Sequence, residues 1–529
     1  MKIRIGLEGM GAALLLLFSD YLLFFHPQNH ALYHHGLPVT NMIGGLLVDL
    51  LAIALLAAGY IFAIRHLRQP TQRILEALFA GIMLWGIVDF GIQVLIFASL
   101  PTIFWGHYWE RFHELIPISS WEHIWRRCLL VLLLLSGVVA RFLPRFTQPV
   151  VCAIRVTVAA FAFSAIWILP QLIHLALLQP PAFAPPPAMA QGSPHQRIIW
   201  ILFDELSYDQ AFEHPAAGIR LPNFDRLRAE SFSFSNLRPI GYETNRIIPS
   251  LLLGRQFEEF RGTTRGELWY FDKSQHRWRA YDPKETLFAL AQSNGWNTGA
   301  DGWYIPYCRV IGSVLNACYW TPNDIFPLEE YGASKDHSVL ANAAAVPRQM
   351  LAGMTAQNTT AAEEHLAQHR SVMAHTAELI DDTRLNFVFL HLPVPHPPGI
   401  YDRQRHMLCP GGTYLDNLVL ADETLGALVR EIDATPLAGQ TTIIVSSDHS
   451  WRIPMWRPLE DWSAEEERAS GGSFDDRPVL LIHLPGQQSG SDIHAATSEM
   501  IEHDVIAAML RGEVNNPDAL QAYLAQSSH

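Results

Sequence analysis

The sequence predicts a chain of two parts, an N-terminal region of five transmembrane helices and a C-terminal α/β domain with a mainly parallel central sheet. Of the 529 residues, 49% are hydrophobic and 17% charged, and the long apolar runs are concentrated before Leu178. After Arg197, short apolar runs alternate with helical patterns. This alternation is typical of a parallel sheet that is covered by helices on both faces.

The apolar runs before Leu178 are the predicted membrane spans. A helix needs roughly 20 apolar residues to cross the hydrocarbon core. The fourth run is shorter than that, and a buried core helix is the alternative interpretation for it. The predicted spans are Ile5–Phe25, Asn41–Ile64, Ile74–Leu100, Cys128–Ala140 and Val156–Leu178.

The positions of lysine and arginine predict the orientation, because these residues favour the cytoplasmic side of a span. They flank the N-terminus and the second and fourth connections, whereas the loop Phe25–Thr40 contains neither. The flanking residues are Lys2, Arg4, Arg65, Arg68, Arg73, Arg141, Arg145 and Arg155. This pattern requires five spans and predicts a multi-pass protein of the bacterial inner (cytoplasmic) membrane, with everything after Leu178 in the periplasm.

The expected domains are therefore the transmembrane helices at 1–178, a linker rich in Pro and Ala at 179–196, and a periplasmic domain at 197–529. Asp20, Asp49 and Asp89 lie inside predicted spans, where a carboxylate indicates either a function or a hydrogen-bonded packing role. Cys308 and Cys318 flank a short loop of the exported domain. An oxidising compartment favours a disulfide between them, with two free buried thiols as the alternative.

Four apolar runs of the second part are the predicted buried strands, and three of them lead directly into acidic or imidazole side chains. Because ligands bind beyond the carboxyl ends of parallel strands, these side chains are expected to meet at one edge. Read singly, an aspartate after a strand is more often a cap or turn residue. The strands are Ile198–Phe203, followed by Asp204 and Glu205; Asn386–His391, followed by His396; Thr441–Ser446, followed by Asp448 and His449; and Val479–Leu484.

Carboxylates together with one imidazole suit a hard or borderline cation, so the sequence predicts one divalent metal ion, Mn²⁺, Zn²⁺, Mg²⁺ or Ca²⁺. A hydroxyl residue, Thr244, precedes a helix for which Pro249 is the expected first residue. Metal contact would lower the pKa of this hydroxyl and make it a nucleophile toward a phosphoryl or sulfuryl centre. Read alone, a threonine in the position of Thr244 is more often a turn or cap residue.

Taken in order, these segments resemble the sulfatase branch of the alkaline phosphatase superfamily over roughly Arg197–Met509. Sulfatases carry the signature C-x-P-S-R-x₃-L-T-G-R, and aligning its end on Gly254 and Arg255 puts Thr244 at the cysteine position. The segments that carry the resemblance are Ile198–Leu206, Leu221–Leu227, Gly295–Gly302, His391–Pro398, Tyr414–Leu428 and Val445–His449.

Threonine at this position is what lipoteichoic acid synthases and lipid A phosphoethanolamine transferases use, and these proteins are also similar in having five N-terminal spans. The resemblance implies roles for eight residues. The metal ligands would be Asp204, Glu205, Thr244, Asp448 and His449; Thr244 and His396 would be catalytic; His391 and Arg246 would contact the substrate, with Arg255, Arg309 and Arg452 as further candidates.

The implied activity moves a phospho-head group from a phospholipid through Thr244 to an envelope acceptor such as a glycan, a lipid-linked sugar or water. The partners would be a phospholipid or glycan substrate and the membrane. The alternatives are a phosphate- or sulfate-ester hydrolase and a catalytically inactive partner in envelope assembly. The net charge of −14 gives no support for nucleic-acid binding.

Overall fold

The computed structural model describes residues 2–25, 39–97, 131–179, 185–191 and 196–527, apart from short gaps. The gaps are residues 134, 258, 263–266, 273–274, 322–331, 335, 350–358, 460 and 472–474. The N-terminal helices are α1 (Lys2–Leu16), α2 (Phe18–Phe25), α3 (Thr40–Ile64), α4 (Gln69–Phe97), α5 (Pro144–Phe161) and α6 (Ala165–Leu177).

Three helices among the described residues are long and apolar enough to cross a membrane. They are Thr40–Ile64, Gln69–Gly91 and the continuous stretch Arg145–Leu177. They coincide with the second, third and fifth predicted spans. A transmembrane region is therefore supported at three places, and the number of five spans stays a prediction.

The other two predicted spans are less regular. The first, Ile5–Phe25, is divided between α1 and α2 by a turn at Leu17. The fourth is represented by a shorter apolar helix, Val131–Phe142, and the residues before Val131 lie outside the described part of the chain. Asp20 and Asp49 are buried within the bundle. Whether they serve a function or packing stays a prediction.

The second part of the chain contains fifteen described strands, eight of which form one central sheet. The strands are β1 (Arg197–Phe203), β2 (Phe232–Phe234), β3 (Leu237–Arg238), β4 (Phe260–Gly262), β5 (Leu268–Asp272), β6 (Arg277–Ala280), β7 (Thr298–Gly302), β8 (Ala317–Cys318), β9 (Phe387–Leu392), β10 (Gly399–Asp402), β11 (Met407–Gly412), β12 (Thr441–Ser446), β13 (Leu480–His483), β14 (Ser491–Ile493) and β15 (Thr497–Ser498).

The central sheet has the order β14-β2-β13-β12-β1-β9-β7-β8. Its neighbours are parallel except β13, which is antiparallel to both β12 and β2. The predicted α/β domain with a mainly parallel sheet is therefore confirmed. The four strands expected from apolar runs are β1, β9, β12 and β13, and β1 lies between β12 and β9 at the centre.

Helices cover both faces of the sheet, and side chains alternate between two hydrophobic cores. On β1, Trp200 and Leu202 belong to one core, whereas Ile199 and Ile201 belong to the other. The helices of this part are α7 (Pro222–Ala229), α8 (Thr244–Leu253), α9 (Leu287–Ser293), α10 (Tyr307–Val310), α11 (Val339–Asn342), α12 (Thr359–Asp381), α13 (Tyr414–Ala434), α14 (Ile453–Trp456), α15 (Ala464–Ala469), α16 (Ile501–Leu510) and α17 (Pro517–Ser527).

The predicted linker, 179–196, is held on the sheet domain over part of its length. Asn297 bonds to both backbone groups of Ala190, and Asn316 donates to the carbonyl oxygens of Pro187 and Ala188. Residues 180–184 and 192–195 of the linker lie outside the described part.

A second contact joins the two parts of the chain, because α11 packs against the beginning of α3. A Cβ atom added to Gly45 would lie 2.7 Å from the Cβ atom of Asn342. Only glycine permits so close an approach at this position. Ala333, Ala345 and Val346 extend the contact into the apolar core of the bundle.

Candidate metal and nucleophile site

Three neighbouring strands bring Asp204, His391 and Asp448 to the same edge and the same face of the sheet. Side chains of a strand alternate between faces. Asp204 follows Trp200 and Leu202 at this spacing, and His391 follows Phe389. All of these apolar residues belong to the core that also contains α8 and α16. The three polar side chains therefore lie at the end of that core, next to the beginning of α8.

Asp204, Asp448 and His449 form a compact buried cluster whose potential ligand atoms all lie within 4.8 Å of one another. The Nε2 atom of His449 is 3.2 Å from Oδ2 of Asp448 and 3.8 Å from Oδ1 of Asp204. Burial, reinforced by the Asp448 carboxylate, raises the pKa of Asp204 well above its usual range. Burial also raises the pKa of Asp448. Two buried carboxylates at this separation are costly to ionise together without a cation.

The donor atoms of this cluster fit a divalent cation. The backbone carbonyl of Ser450 lies 3.0 Å from Nδ1 of His449, which leaves the Nε2 lone pair facing the carboxylates. Oδ1 of Asp204 and Oδ2 of Asp448 are buried and accept no hydrogen bond from any described residue. Burial lowers the pKa of His449 to about 3, so the ring is neutral, as metal ligation requires.

Thr244 places its hydroxyl at this cluster. Its Oγ1 atom lies 3.3 Å from Nε2 of His449, and it is near enough to Asp204 and Asp448 to favour their ionised forms. Thr244 is also the first residue of α8, so the start of that helix adds positive electrostatic potential. The site thus combines a hydroxyl, a helix start and three potential metal ligands.

The expected start of this helix at Pro249 is wrong. The helix begins at Thr244, after Glu243 in an extended conformation, and Pro249 lies inside it. The amides of Arg246 and Ile247 both bond to the Glu243 carbonyl, so the first helical turn starts at Thr244, five residues before the proline. Thr244 therefore lies in the first turn of the helix and not in a turn before it, which places its hydroxyl at the positive end of the helix dipole.

His391 lies beside the cluster and is fully buried. Its Nδ1 atom is 2.8 Å from the hydroxyl of Tyr307, and its Nε2 atom is 3.3 Å from Oδ2 of Asp204. Burial lowers the pKa of His391 to about 4. Both ring nitrogens are therefore occupied, and His391 is placed to orient Asp204.

Glu205 is outside the cluster, although it is adjacent to Asp204. The backbone at Glu205 has φ 66°, a conformation that residues other than glycine rarely adopt. Its carboxylate accepts hydrogen bonds from Nε of Arg452 and, at 2.8 Å, from the indole Nε1 of Trp456. The expected metal ligand therefore meets an arginine and a tryptophan in this structure.

His396 lies on the other side of Arg452. A terminal nitrogen of Arg452 is 3.1 Å from Nε2 of His396, and Nδ1 of His396 contacts the carbonyl of Pro397. This arrangement places the ring proton on Nδ1. Burial, with the charge of Arg452, lowers the pKa of His396 well below its usual value. His396 must therefore gain a proton before it can act as an acid.

Two of the remaining substrate candidates, Arg246 and Arg255, pair with carboxylates that are not part of the cluster. Arg246 is on the first turn of α8 and forms a partly exposed ion pair of 2.9 Å with Glu243. Arg255 pairs with Glu285 at 3.1 Å. Of the four arginines named from the sequence, the structure therefore brings Arg452 to His396, one of the two expected catalytic residues.

Several residues around the site carry no sequence signal strong enough to single them out. Tyr307 and Trp456 bond to His391 and Glu205. Trp303 packs its ring 5.2 Å from that of His396 and 5.4 Å from that of His365. His365 in turn contacts the carbonyls of Pro393 and Pro398, each at 2.8 Å, on both sides of His396. His365 lies in the predicted helical run Glu363–Ile380, and a single histidine in such a run does not by itself indicate a functional site.

Comparison with known proteins gives a family model and distant structures. No curated protein matches the chain. Similar solved structures include the phosphonate monoester hydrolase of Agrobacterium radiobacter (13% identity, 60% of this chain and 74% of that chain, TM-score 0.37) and a putative sulfatase of Bacteroides thetaiotaomicron (11%, 61% and 76%, 0.37). An alkaline phosphatase superfamily protein of Vibrio parahaemolyticus shows 16% identity over 62% of this chain and 69% of that one, with a TM-score of 0.34.

Family membership rests on the sequence model, because the structural likenesses are too low to support it. The family model described as "Sulfatase" matches residues 196–510, which is more than half of the chain and includes every residue of the cluster. The chain therefore belongs to the sulfatase family, whose members are enzymes of the alkaline phosphatase superfamily.

Proposed function

We propose that this protein is a membrane-anchored, metal-dependent enzyme that transfers a phospho-head group from a phospholipid, through Thr244, to an acceptor in the bacterial envelope. The observation that carries the proposal is the position of the Thr244 hydroxyl, 3.3 Å from Nε2 of His449 at the start of α8. A threonine used only as a cap has no reason to lie among three buried metal-ligand side chains.

The residues that would hold the metal are Asp204, Asp448 and His449, with Thr244 as the fourth. A bound divalent cation would lower the pKa of the Thr244 hydroxyl and offset the charge of the two carboxylates. Mn²⁺, Zn²⁺, Mg²⁺ and Ca²⁺ all suit oxygen ligands with one imidazole. We assign Glu205 to holding Arg452, because its carboxylate is bonded there.

The reaction then has two displacements. In the first, the Thr244 oxygen gives up its proton to solvent and bonds to phosphorus, while the bond between phosphorus and the lipid oxygen breaks. In the second, the acceptor hydroxyl gives up its proton to solvent and its oxygen bonds to phosphorus, the bond between phosphorus and Thr244 breaks, and the Thr244 oxygen regains a proton from solvent. Arg452 faces the site and would contact the anionic oxygens of the transferring group.

His396 would supply the proton that the leaving lipid oxygen needs. Burial and, after it, the charge of Arg452 lower the pKa of His396, and the negative charge of a bound anionic group would oppose both effects and favour uptake of a proton at Nε2. His391 would keep Asp204 in place through its bond of 3.3 Å. Arg246, two residues beyond Thr244, would contact the head group where it leaves the cluster.

The membrane part of the proposal rests on the three long apolar helices and on the asymmetry of basic residues. We propose the domain boundaries 1–178, 179–196 and 197–529, with the sheet domain on the periplasmic side. A phospholipid donor follows from this anchoring, and a glycan or lipid-linked sugar is an acceptor available in the same compartment.

Mass spectrometry of the purified full-length protein tests the proposal. The protein is loaded with each of the four metals and incubated with bacterial phospholipids, and Thr244 is examined for a phosphate-containing adduct. The variants are Thr244→Ala, expected to lose the adduct and at least about 1,000-fold of turnover, and Thr497→Ala as a control threonine far along the chain. Turnover that persists in Thr244→Ala would contradict the nucleophile.

The same experiment separates the alternative activities. Thr244-dependent release of product from simple phosphate or sulfate esters, with no transfer from lipid, would identify an ester hydrolase. Absence of both metal and turnover would favour the third alternative, a partner in envelope assembly that has lost catalysis.

A further inference from the structure

An apolar cavity opens between α4, the helix Val131–Phe142 and α5. Its volume is about 360 Å³, and Leu84, Leu135 and Val150 are among the side chains that line it. Leu135 and Val150 are more than half exposed. In a bilayer, a groove of this composition takes up hydrocarbon.

A polar cavity of about 240 Å³ adjoins the apolar one. Thr147 and Val151 of α5 line both cavities, so the two cavities adjoin as the apolar half and the polar half of one candidate site. Arginine dominates the polar half. Its charged lining residues are Arg4, Arg73, Glu76 and Arg155.

The charges of the polar half are incompletely balanced. Arg155 bonds to Glu8 at 2.7 Å and to Glu76 at 3.2 Å, and Arg4 pairs with Glu8 at 2.9 Å. Arg73 has a buried Nε that meets no acceptor among the described residues. Three arginines thus face two glutamates, and the excess positive charge lies at Arg73.

These cavities lie at the end of the bundle opposite the catalytic domain. Helix α3 contacts Asn342 through Gly45 near its first residue, so its last residue, Ile64, marks the far end. Helix α4 begins after a short connection, which places Arg73 at that same far end. The space is therefore separate from the cluster of Asp204, Asp448 and His449.

We propose that these adjoining cavities bind an anionic phospholipid of the cytoplasmic leaflet, with its phosphate at Arg73 and Arg4 and an acyl chain in the apolar half. Arginine donors suit phosphate oxygens, and basic pockets between helices on the cytoplasmic side favour anionic head groups. The proposal rests on the membrane anchoring above but not on the chemistry of Thr244, because the lipid here is a bound component and not the donor.

Native mass spectrometry of the full chain in detergent tests it. Phosphatidylglycerol is added as the probe, phosphatidylcholine as a zwitterionic lipid and inorganic phosphate as the free anion. We expect bound phosphatidylglycerol to survive at activations that remove phosphatidylcholine. Arg73→Gln should weaken its binding about fivefold, the value of one arginine near a head group, whereas Arg68→Gln, on the exposed connection, should not.

The apolar half is tested independently. Val150→Trp fills the cavity and should lower lipid binding, whereas Val156→Trp, equally exposed on α5 but outside the cavity, should not. Arg73 makes no ion pair within the described residues, so its replacement leaves folding intact, which a thermal melt checks. Equal binding of both lipids, no effect of Arg73→Gln, or saturation by inorganic phosphate alone would overturn the proposal.

Discussion

The guanidinium of Arg452 donates from Nε to the carboxylate of Glu205, and the Glu205 side chain is completely buried. The neighbouring Asp204 has different surroundings, because its carboxylate belongs to the cluster with Asp448 and His449 that could hold a metal ion. Two acidic residues that are adjacent in sequence therefore have different partners.

Glu205→Gln is expected to leave the metal content unchanged and to lower turnover. The buried charge of Arg452 loses its partner, so the free energy of unfolding should fall by about 3 kcal/mol. Metal analysis by plasma mass spectrometry and denaturant unfolding measure the two effects. Asp448→Asn serves as the contrast, because it should lose the metal. If the Glu205→Gln protein contained no metal, the original interpretation of Glu205 as a metal ligand would be correct.

Metal removal should destabilise the protein more at pH 8 than at pH 5. Burial raises the pKa of Asp204 and Asp448 in the folded state, so the metal-free folded protein retains protons that the unfolded chain loses above pH ~4. Stability of the metal-free form therefore falls as the pH rises, while the ionised carboxylates bind metal more tightly. The change in melting temperature on addition of a chelator measures the effect at each pH. A change that becomes smaller as the pH rises would contradict Asp204 and Asp448 as metal ligands.

Asp301→Asn should stabilise the protein, and the gain should grow between pH 5 and pH 8. Burial raises the pKa of Asp301 to about 8, and only one of its oxygens has a partner, the hydroxyl of Thr376 at 3.1 Å. Because the pKa of Asp301 is higher in the folded state than in the unfolded chain, the free energy of unfolding of the unsubstituted protein falls as the pH rises through this window. Asparagine does not titrate, so the variant does not share this loss. Melting temperatures of both proteins across the window measure it. A gain independent of pH would show that Asp301 is ionised throughout.

Replacing Cys308 and Cys318 by serine should lower the free energy of unfolding by about 2–3 kcal/mol, as expected for a short closed loop. The two cysteines form a disulfide, which settles the alternative of free thiols. Turnover should fall as well, because Cys308 follows Tyr307, which bonds to His391. Cys409→Ser is the control, since Cys409 is free. Unfolding curves with and without reductant provide the measurement.

The sheet and the cluster were predictable because both follow from local patterns. The strands β1, β9 and β12 are continuous apolar runs, and such runs are buried on both faces of a parallel sheet. A polar residue that directly follows such a strand has few places to lie other than the sheet edge. Asp204, His391 and Asp448 were found on this basis.

Other features depend on contacts that no local pattern encodes. Strand β7 reads Thr-Gly-Ala-Asp-Gly and lacks an apolar run, yet it pairs with β9 over its full length. Arg452, the partner of Glu205, is 247 positions away in sequence. A local pattern therefore cannot indicate whether the Glu205 carboxylate lies next to an arginine or next to a metal site. Pro249 misled the prediction of the helix start, because Glu243 closes the first turn before it.

The contact between Gly45 of α3 and Asn342 of α11 has a consequence for how acceptors are chosen. Ala190 is bonded to the sheet domain and α11 packs on the helical bundle, so the proposed membrane anchoring would hold Thr244 at a set height above the bilayer. The distance between Thr244 and the membrane surface would then limit which acceptors can react. A lipid-linked sugar would react only if its hydroxyl lies at the same distance from the membrane, whereas a soluble glycan could diffuse to the site.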